Sequence, residues 1–436
     1  MIEGAPVGGK ALHSRIGGDH ARRWGLRICQ VMSAALMVAT VAGCGSATSS
    51  SSSSSTSRGP ATAGTQPPAS GWRNIMISAS GSGEFDRVTC PATGDCWAIA
   101  NLDVGGNSTA QIFHFAGGRW SQSVTPSATS LYGITCPSAT ECWAVGARVP
   151  SGSQNAVTLI EHFDGNSWQA VSSPNRATSE ESGLSGVGCN SSQSCWAVGE
   201  DDTGQIGQFL LLHYDGRSWS TASAPSQQQE QQSGNGAYIE CPSSRQCVLL
   251  YNYGTSGGES NTEDGAIYNG HSWRSLHVPS GVLIQGASCP SVNDCYAIGG
   301  VDFNGPGTTE SIYHFNGNAW TSGSQLPATE GVSWSALTCA PGTSDCWAGG
   351  GAPVTEGDPT HVVLAHLVGG NWAVPNYPQI VGDLQDIFCG STSSCVAVGE
   401  QLTSSGPSTQ AAPPSETTGT PAESSNAAPL VLTLGG

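Results

Sequence analysis

The amino-acid sequence predicts an all-β protein, a seven-bladed β-propeller with four antiparallel strands in each blade. Three observations predict this fold: cysteines recur in seven close pairs, each pair marks a unit of about 50 residues, and each unit holds four strand-sized segments. Such a period is typical of propeller blades. Only 11% of the 436 residues are charged and 59 are glycine, which suits short strands and turns better than amphipathic helices.

The four strands of a unit, labelled a to d, each have their own pattern. Strand a ends at the first cysteine of a pair. Strand b starts at the second cysteine and alternates with period two, as in Trp143-Ala144-Val145-Gly146. Strand c is apolar and runs into an Asp-Gly or Asn-Gly turn such as Asp164-Gly165, which is a strong hairpin signal. Strand d carries a tryptophan three residues after that glycine, as at Trp168.

The strand d tryptophans predict how the ring closes. The seventh unit ends on a strand c, Pro429–Leu434, and lacks a strand d, whereas Gly71–Ile75 at the other end of the domain supplies one that contains Trp72. The N-terminal strand should therefore complete the seventh blade, because an unclosed ring would leave two open sheet edges. The six other units each contain their own tryptophan: Trp120, Trp168, Trp219, Trp273, Trp320 and Trp372.

The cysteine pairs are predicted to be disulfides. Each pair flanks a short a–b hairpin turn, which places the two thiols on adjacent strands within bonding reach. A zinc site is disfavoured, because it needs four converging ligands and each pair supplies two. The predicted disulfides are Cys90–Cys96, Cys136–Cys142, Cys189–Cys195, Cys241–Cys247, Cys289–Cys295, Cys339–Cys346 and Cys389–Cys395.

Two other residue types repeat with the blades. A histidine on strand c is expected to bond a neighbouring backbone or strand d, and an aromatic residue after the second cysteine is expected to pack between blades. The histidines are His114, His162, His213, His314 and His366. The aromatic residues are Trp97, Trp143, Trp196, Tyr296 and Trp347.

The segments Cys142–Gly146, Leu159–Trp168 and Val171–Asn175 resemble the tandem propeller repeats of secreted bacterial proteins, whose units read like LIEHWNGTSWSVVPSPN with WAVG. The resemblance covers residues 71–436 and implies the fold and exposure outside the cytoplasm, but no activity. The turn Asp164–Trp168 also resembles the Asp-box of sialidase-like propellers, one residue short. Those boxes are structural turns, so this resemblance implies no catalysis.

The N-terminus predicts export and a lipid anchor. Residues 1–43 combine a basic start with an apolar run, and they end in Val41-Ala42-Gly43 before Cys44, which resembles a lipobox. Diacylglycerol on Cys44 would hold the protein on the outer face of the cytoplasmic membrane or the cell surface. Residues 44–70 are a Ser/Thr/Pro-rich flexible tether. A plain secretion signal is the alternative, and the export route, general secretory or twin-arginine, stays open.

The charge of the chain limits its partners. With 14 Lys and Arg against 32 Asp and Glu, the net charge is −18, which disfavours nucleic acid because phosphate contacts need cationic side chains. We expect a monomer without a cofactor, apart from Ca²⁺ as an option for clustered carboxylates.

The long d–a and b–c loops share one face of the ring and differ from blade to blade, so this face is the predicted binding face. Residues 400–427, the last b–c loop, form a Ser/Thr/Pro-rich insertion predicted to be disordered. The acidic candidates on this face are Glu180, Glu181, Asp201, Asp202, Asp302, Glu356 and Asp358.

The sequence contains no catalytic constellation. We expect an extracytoplasmic binding scaffold for an unknown protein or glycan, with a glycan hydrolase or lyase as the alternative and a purely structural envelope protein as a third option. Two carboxylates close together beside an arginine or a tyrosine would favour the hydrolase. On the otherwise regular strand a, Glu240 and Asp386 are the main departures.

Overall fold

The structure is a computed structural model that describes residues 71–123, 130–175, 181–202, 207–223, 233–254, 261–278, 283–300, 310–327, 332–353, 360–402 and 427–435. These residues form 28 β-strands in seven four-stranded antiparallel sheets, which confirms the predicted seven-bladed propeller. The predicted signal, Cys44, the tether and positions 403–426 lie outside the described residues. Among the residues described, no helix is long and apolar enough to span a membrane.

Each blade contains four strands, a to d, in order from the channel outward. Blades 1 to 3 are β2 (Ser82–Ala92), β3 (Asp95–Val104), β4 (Asn107–Ala116), β5 (Arg119–Ser123); β6 (Ser130–Ser138), β7 (Glu141–Arg148), β8 (Val157–Phe163), β9 (Trp168–Val171); and β10 (Glu181–Ser191), β11 (Ser194–Asp202), β12 (Gly207–Tyr214), β13 (Trp219–Thr221). Blades 4 and 5 are β14 (Ser233–Ser243), β15 (Gln246–Gly254), β16 (Asn261–Tyr268), β17 (Trp273–Leu276); and β18 (Leu283–Ser291), β19 (Asp294–Gly300), β20 (Ser311–Phe315), β21 (Trp320–Ser322). Blades 6 and 7 are β22 (Ser333–Cys339), β23 (Cys346–Pro353), β24 (Thr360–Val368), β25 (Asn371–Ala373); and β26 (Gly382–Ser391), β27 (Ser394–Leu402), β28 (Ala427–Leu434), β1 (Arg73–Ile75).

The ring closes as the sequence predicts. Strand β1 pairs antiparallel with β28, with Arg73 opposite Thr433 and Ile75 opposite Val431, so the N-terminal strand is strand d of blade 7. Pairing with β1 satisfies the outer edge of β28, which would otherwise be exposed.

The core lies between neighbouring blades, as expected for the repeated aromatic residues. The strand b tryptophan of one blade packs edge-on against the strand d tryptophan of the next: Trp97 on Trp168, Trp143 on Trp219 and Trp196 on Trp273. The same contact closes the ring, because Trp72 of the N-terminal strand packs on Trp347 of blade 6 with ring centroids 5.2 Å apart. Edge-on aromatic pairs add specificity to the burial of apolar area.

The strand c histidines were expected to bond a neighbouring backbone or strand d, and this prediction is wrong, because their side chains bond residues at the start of strand b. His114 lies directly across from Trp97 on strand b and stacks on it at 3.9 Å, because opposite residues of adjacent strands share one face. Its Nε2 lies 2.7 Å from Asp95 at the start of the same strand b. His314 and His366 bond Asp294 and Asp345, and His213 bonds Ser194, in the same way.

The seven predicted disulfides are present, and each joins strands a and b of one blade. Replacing Cys189 and Cys195 together with serine should lower the free energy of unfolding by roughly 2 kcal/mol, because the unfolded chain regains the entropy of a short loop. Chemical denaturation of the oxidised wild type and the double variant measures this difference. The effect should vanish when both proteins are compared under reducing conditions.

Candidate functional site

The acidic residues of the predicted binding face are only partly described. Glu181 is exposed at the start of β10 and lies across from Asp202 at the end of β11, while the neighbouring Asp201 is buried. The other candidates lie outside the described residues: Glu180, Asp302, Glu356 and Asp358. Within the described ranges, no group of three or more His, Cys, Asp or Glu side chains is arranged to hold a metal ion. Ca²⁺ and the binding role of this face remain predictions.

The strands that line the central channel are irregular at one repeated position. In six blades the a–b pairing shifts register at the fourth residue before the first cysteine, as between Phe85 and Arg87 and between Leu384 and Asp386. The fourth blade has its shift between Gly234 and Ala237. Such β-bulges bend a strand and change the direction of the next side chain.

The third residue before the first cysteine separates the blades into two groups. Four blades carry a small residue there: Gly133, Gly186, Gly286 and Ala336. Where glycine stands, neighbouring inner strands approach closely, because a Cβ on Gly133 would lie 3.0 Å from the Cα of Gly186. The other three blades carry large polar residues at the same position: Arg87, Tyr238 and Asp386.

These three polar side chains line one cavity inside the ring. Blades 1 and 7 are neighbours through the ring closure, and blade 4 lies on the opposite side of the channel. Even so, Arg87 is within electrostatic range of both Asp386 and Tyr238, and Glu240 of blade 4 is within range of Asp386. The four side chains are half-buried and line one cavity of about 440 Å³ at the end of the channel that carries the a–b turns. This volume is in the range of small-ligand sites.

Each of the four side chains is held by a backbone group. Asp386 Oδ2 accepts a hydrogen bond from the Val88 amide at 2.9 Å, and Glu240 Oε2 accepts one from the Cys289 amide at 2.6 Å. The Tyr238 hydroxyl donates to the Gln285 carbonyl, and Arg87 Nη1 donates to the Asp86 carbonyl at 2.8 Å. Three of these bonds join neighbouring blades, so the cavity walls are fixed by the ring itself.

Burial shifts the protonation of the two carboxyl groups. It raises the pKa of Glu240 to about 7, and the Asp386 carboxylate nearby adds to this rise. Burial also raises the pKa of Asp386, but only to about 6, because Arg87 and two backbone amides stabilise its charge. The pKa of Tyr238 is raised by burial as well, which keeps its hydroxyl protonated.

Further carboxylates lie along the same inner strands, nearer the d–a loops. Asp86 accepts hydrogen bonds from the backbone and side chain of Asn101, and Glu84 accepts one from Gln385. Burial, with Glu84 nearby, raises the pKa of Asp86 to about 7. Burial, with Glu84 and Glu400 nearby, raises the pKa of Asp383 to about 7. The junction of blades 7 and 1 is therefore strongly acidic.

Sequence reasoning singled out Glu240 and Asp386 but missed Arg87 and Tyr238. Aligning the seven units on their first cysteine would have revealed both, because their position is glycine or alanine in four units. No alignment within the sequence shows that blades 1, 4 and 7 place these side chains around one cavity.

Comparisons with known proteins support the fold and leave the function open. No protein-family model and no curated protein matches the chain. Among solved structures, "YCF48 bound to D1 peptide" is similar with a TM-score of 0.50 and 11% identity, covering 84% of this chain and 95% of that one. The β-propeller domain of the Trilobed protease from Pyrococcus furiosus has a TM-score of 0.45 at 10% identity, covering 73% and 91%. A polysaccharide lyase, PL25-Ulvanlyase, has 0.38 at 9%, covering 66% and 78%.

Proposed function

We propose that the protein is a lipid-anchored extracytoplasmic binding protein whose ligand site is the central cavity. The observation that carries the proposal is that Arg87, Tyr238, Glu240 and Asp386 line one cavity, although they come from three blades that are distant in sequence. Diacylglycerol on Cys44, directed by the lipobox-like sequence before it, would anchor the chain, and the tether would hold the ring away from the membrane.

The propeller fold does not require these four residues. Four blades carry glycine or alanine where Arg87, Tyr238 and Asp386 stand. At the position of Glu240, blade 3 carries Gly188 and blade 5 carries Ser288, so the repeat needs no charged residue there either. Desolvating charged groups costs free energy, which makes their retention inside a cavity characteristic of a functional site.

Binding should depend on the cavity and not on the opposite face. In a panel of defined glycans and peptides, the Arg87→Ala/Asp386→Ala double variant of the full chain should bind the wild-type ligand at least tenfold more weakly. Changing both residues removes one positive and one negative charge together, so neither charge is left in the cavity without the opposite charge that stabilises it. The control variant, Glu181→Gln, alters the predicted loop face and should bind normally. Loss of binding in the control with normal binding in the double variant would place the site on the loop face.

The anchor has its own test. Labelling with radioactive palmitate in the producing bacterium should mark the wild type and Cys29→Ala, which changes the other cysteine of the predicted signal. Cys44→Ala should remain unlabelled, because its thiol is the predicted acceptor. Equal labelling of Cys44→Ala would contradict the lipid anchor and leave the cavity proposal untouched.

A glycan hydrolase or lyase is the second candidate, because two carboxyl groups lie near an arginine and a tyrosine. With a pKa of about 7, Glu240 retains its proton near neutral pH and has the acidity that a general acid needs. Incubation with the same glycan panel separates the candidates. New reducing or unsaturated ends that disappear in Glu240→Gln, with substrate binding retained, would establish catalysis. Binding without products is the result that our first proposal predicts.

A further inference from the structure

We propose that the central cavity binds an organic cation, a primary ammonium or guanidinium group, through the carboxylates of Glu240 and Asp386. This inference rests on the proposed function, since it names the chemistry of the ligand for the same site.

The charges in the cavity favour a cation. Among the described residues that line it, Arg87 is the single basic side chain. Its guanidinium already lies within range of three carboxylates, those of Asp386, Asp86 and Glu84. In the described part of the chain, the groups that act on the Glu240 carboxyl are the Cys289 amide and the Asp386 carboxylate. The charge of Glu240 therefore has no cationic counterpart among these groups.

A carboxylate at position 240 exceeds what the ring requires. The same position, directly before the first cysteine, is Ser288 in blade 5 and Thr338 in blade 6. Each of these hydroxyls accepts a hydrogen bond from the cysteine amide of the next blade, just as Glu240 does. A neutral hydroxyl is thus sufficient for the contact between blades. The negative charge of Glu240 is then available to a ligand.

The negative charge around the cavity also favours a cationic ligand. Glu84, Asp86 and Asp383 lie further along the inner strands, and the whole chain has a net charge of −18. Clefts lined by charges of one sign concentrate ligands of the opposite sign and accelerate their association. Inside the cavity, an anionic ligand would meet the carboxylates of Glu240 and Asp386 and a single arginine, Arg87.

Binding should release protons and strengthen as the pH rises. Besides Glu240, the titratable side chains among the described residues that line the cavity are Asp386 on β26, Arg87 on β2 and Tyr238 on β14, the strand that also carries Glu240. Because the pKa of Glu240 is about 7, part of the population is protonated near neutral pH, and a cation binds the ionised form. With one such proton, the affinity should rise about tenfold between pH 6 and pH 8.

Three five-carbon probes of equal length test the charge directly. Calorimetric titration of the full chain in detergent should show binding of cadaverine, and little or none of pentane-1,5-diol or glutarate. The peptide acetyl-Gly-Lys-Gly-amide distinguishes the source of the cation. Tighter binding of this peptide than of cadaverine indicates a polypeptide side chain, the reverse indicates a free amine, and either result supports the inference.

Matched variants locate the binding. Glu240→Thr should weaken cadaverine binding at least tenfold and retain the bond to the Cys289 amide, as Thr338 does in blade 6. Ser288→Thr, at the same position of the next blade, should bind normally, and thermal melting of both variants verifies the fold. Unchanged binding by Glu240→Thr, equal binding of diol or glutarate, or no binding of either cationic probe would overturn the inference. If another ligand still depends on Arg87 and Asp386 in that case, the proposed function stands and only the cation assignment fails.

Discussion

Replacing Trp72 with alanine is expected to lower the free energy of unfolding by about 3–5 kcal/mol, the usual cost of truncating a buried tryptophan. The indole is 5% exposed and packs on Trp347 within the core cluster of blades 6 and 7. Three residue pairs join β1 to β28, and Trp72 is the one buried residue of the segment 71–75. Burial of its indole therefore holds this segment on the ring. Its loss should free that strand and expose the outer edge of blade 7.

Chemical denaturation and hydrogen exchange measure the two consequences. Exchange should increase at Val431 and Thr433 of β28 before it increases in the other blades, because these residues lose their strand partner. Met76→Ala is the matched control, since this side chain follows the same strand and is 77% exposed. An equal loss of stability in both variants, or unchanged exchange in β28, would contradict the role of Trp72 in ring closure.

Replacing Glu161 with leucine is expected to stabilise the protein by roughly 3 kcal/mol at pH 8 and by much less at pH 4. Glu161 is completely buried on β8, between Leu159 and Phe163 of the core shared by blades 1 and 2. Neither carboxylate oxygen has a hydrogen-bond partner within the described structure. Other blades place apolar or aromatic residues at this strand position, namely Phe113, Leu212, Ala266, Tyr313, Ala365 and Leu432.

The pH dependence of this stability gain follows from the direction in which folding shifts the pKa of Glu161. Burial raises the pKa of Glu161 from 4.5 to about 7 in the folded protein. Between these values the folded state binds more protons than the unfolded state, so wild-type stability falls as the pH rises from 4.5 and reaches its lower limit above 7. Glu161→Leu removes this loss. Denaturation at pH 4, 6 and 8 tests the prediction, with the exposed Glu181→Gln as control. A stability gain that is equal at all three pH values would contradict it.

The fold could be predicted from the sequence because its determinants are local and repeated. The cysteine pairs fix the a–b hairpins, and Asp-Gly or Asn-Gly turns fix the c–d hairpins. Asp164, for example, accepts hydrogen bonds from the Asn166 and Ser167 amides at 2.9 and 3.0 Å. The ring closure was predictable as well. The seventh unit lacks a strand d, and the segment that precedes the first unit has the strand d pattern with its tryptophan, Trp72.

The candidate site could be predicted only in part, because it depends on contacts between distant blades. Glu240 and Asp386 stood out as departures from the repeat, but their neighbours did not. Arg87 meets Asp386 only because ring closure brings blade 7 beside blade 1. Tyr238 joins them only across the channel. The prediction of the strand c histidines' partners was wrong for a simpler reason. Their bonds to strand b depend on how the imidazole stacks on the strand b aromatic ring, and residue spacing does not encode that geometry.

A crystal structure of the full chain soaked with cadaverine tests the proposed site and its ligand most directly. We expect electron density for the probe inside the central cavity, with an ammonium group within hydrogen-bond distance of Glu240 or Asp386. Density on the face that carries Glu181 and Asp202, with a cavity that holds only water, would contradict cation binding in the central cavity.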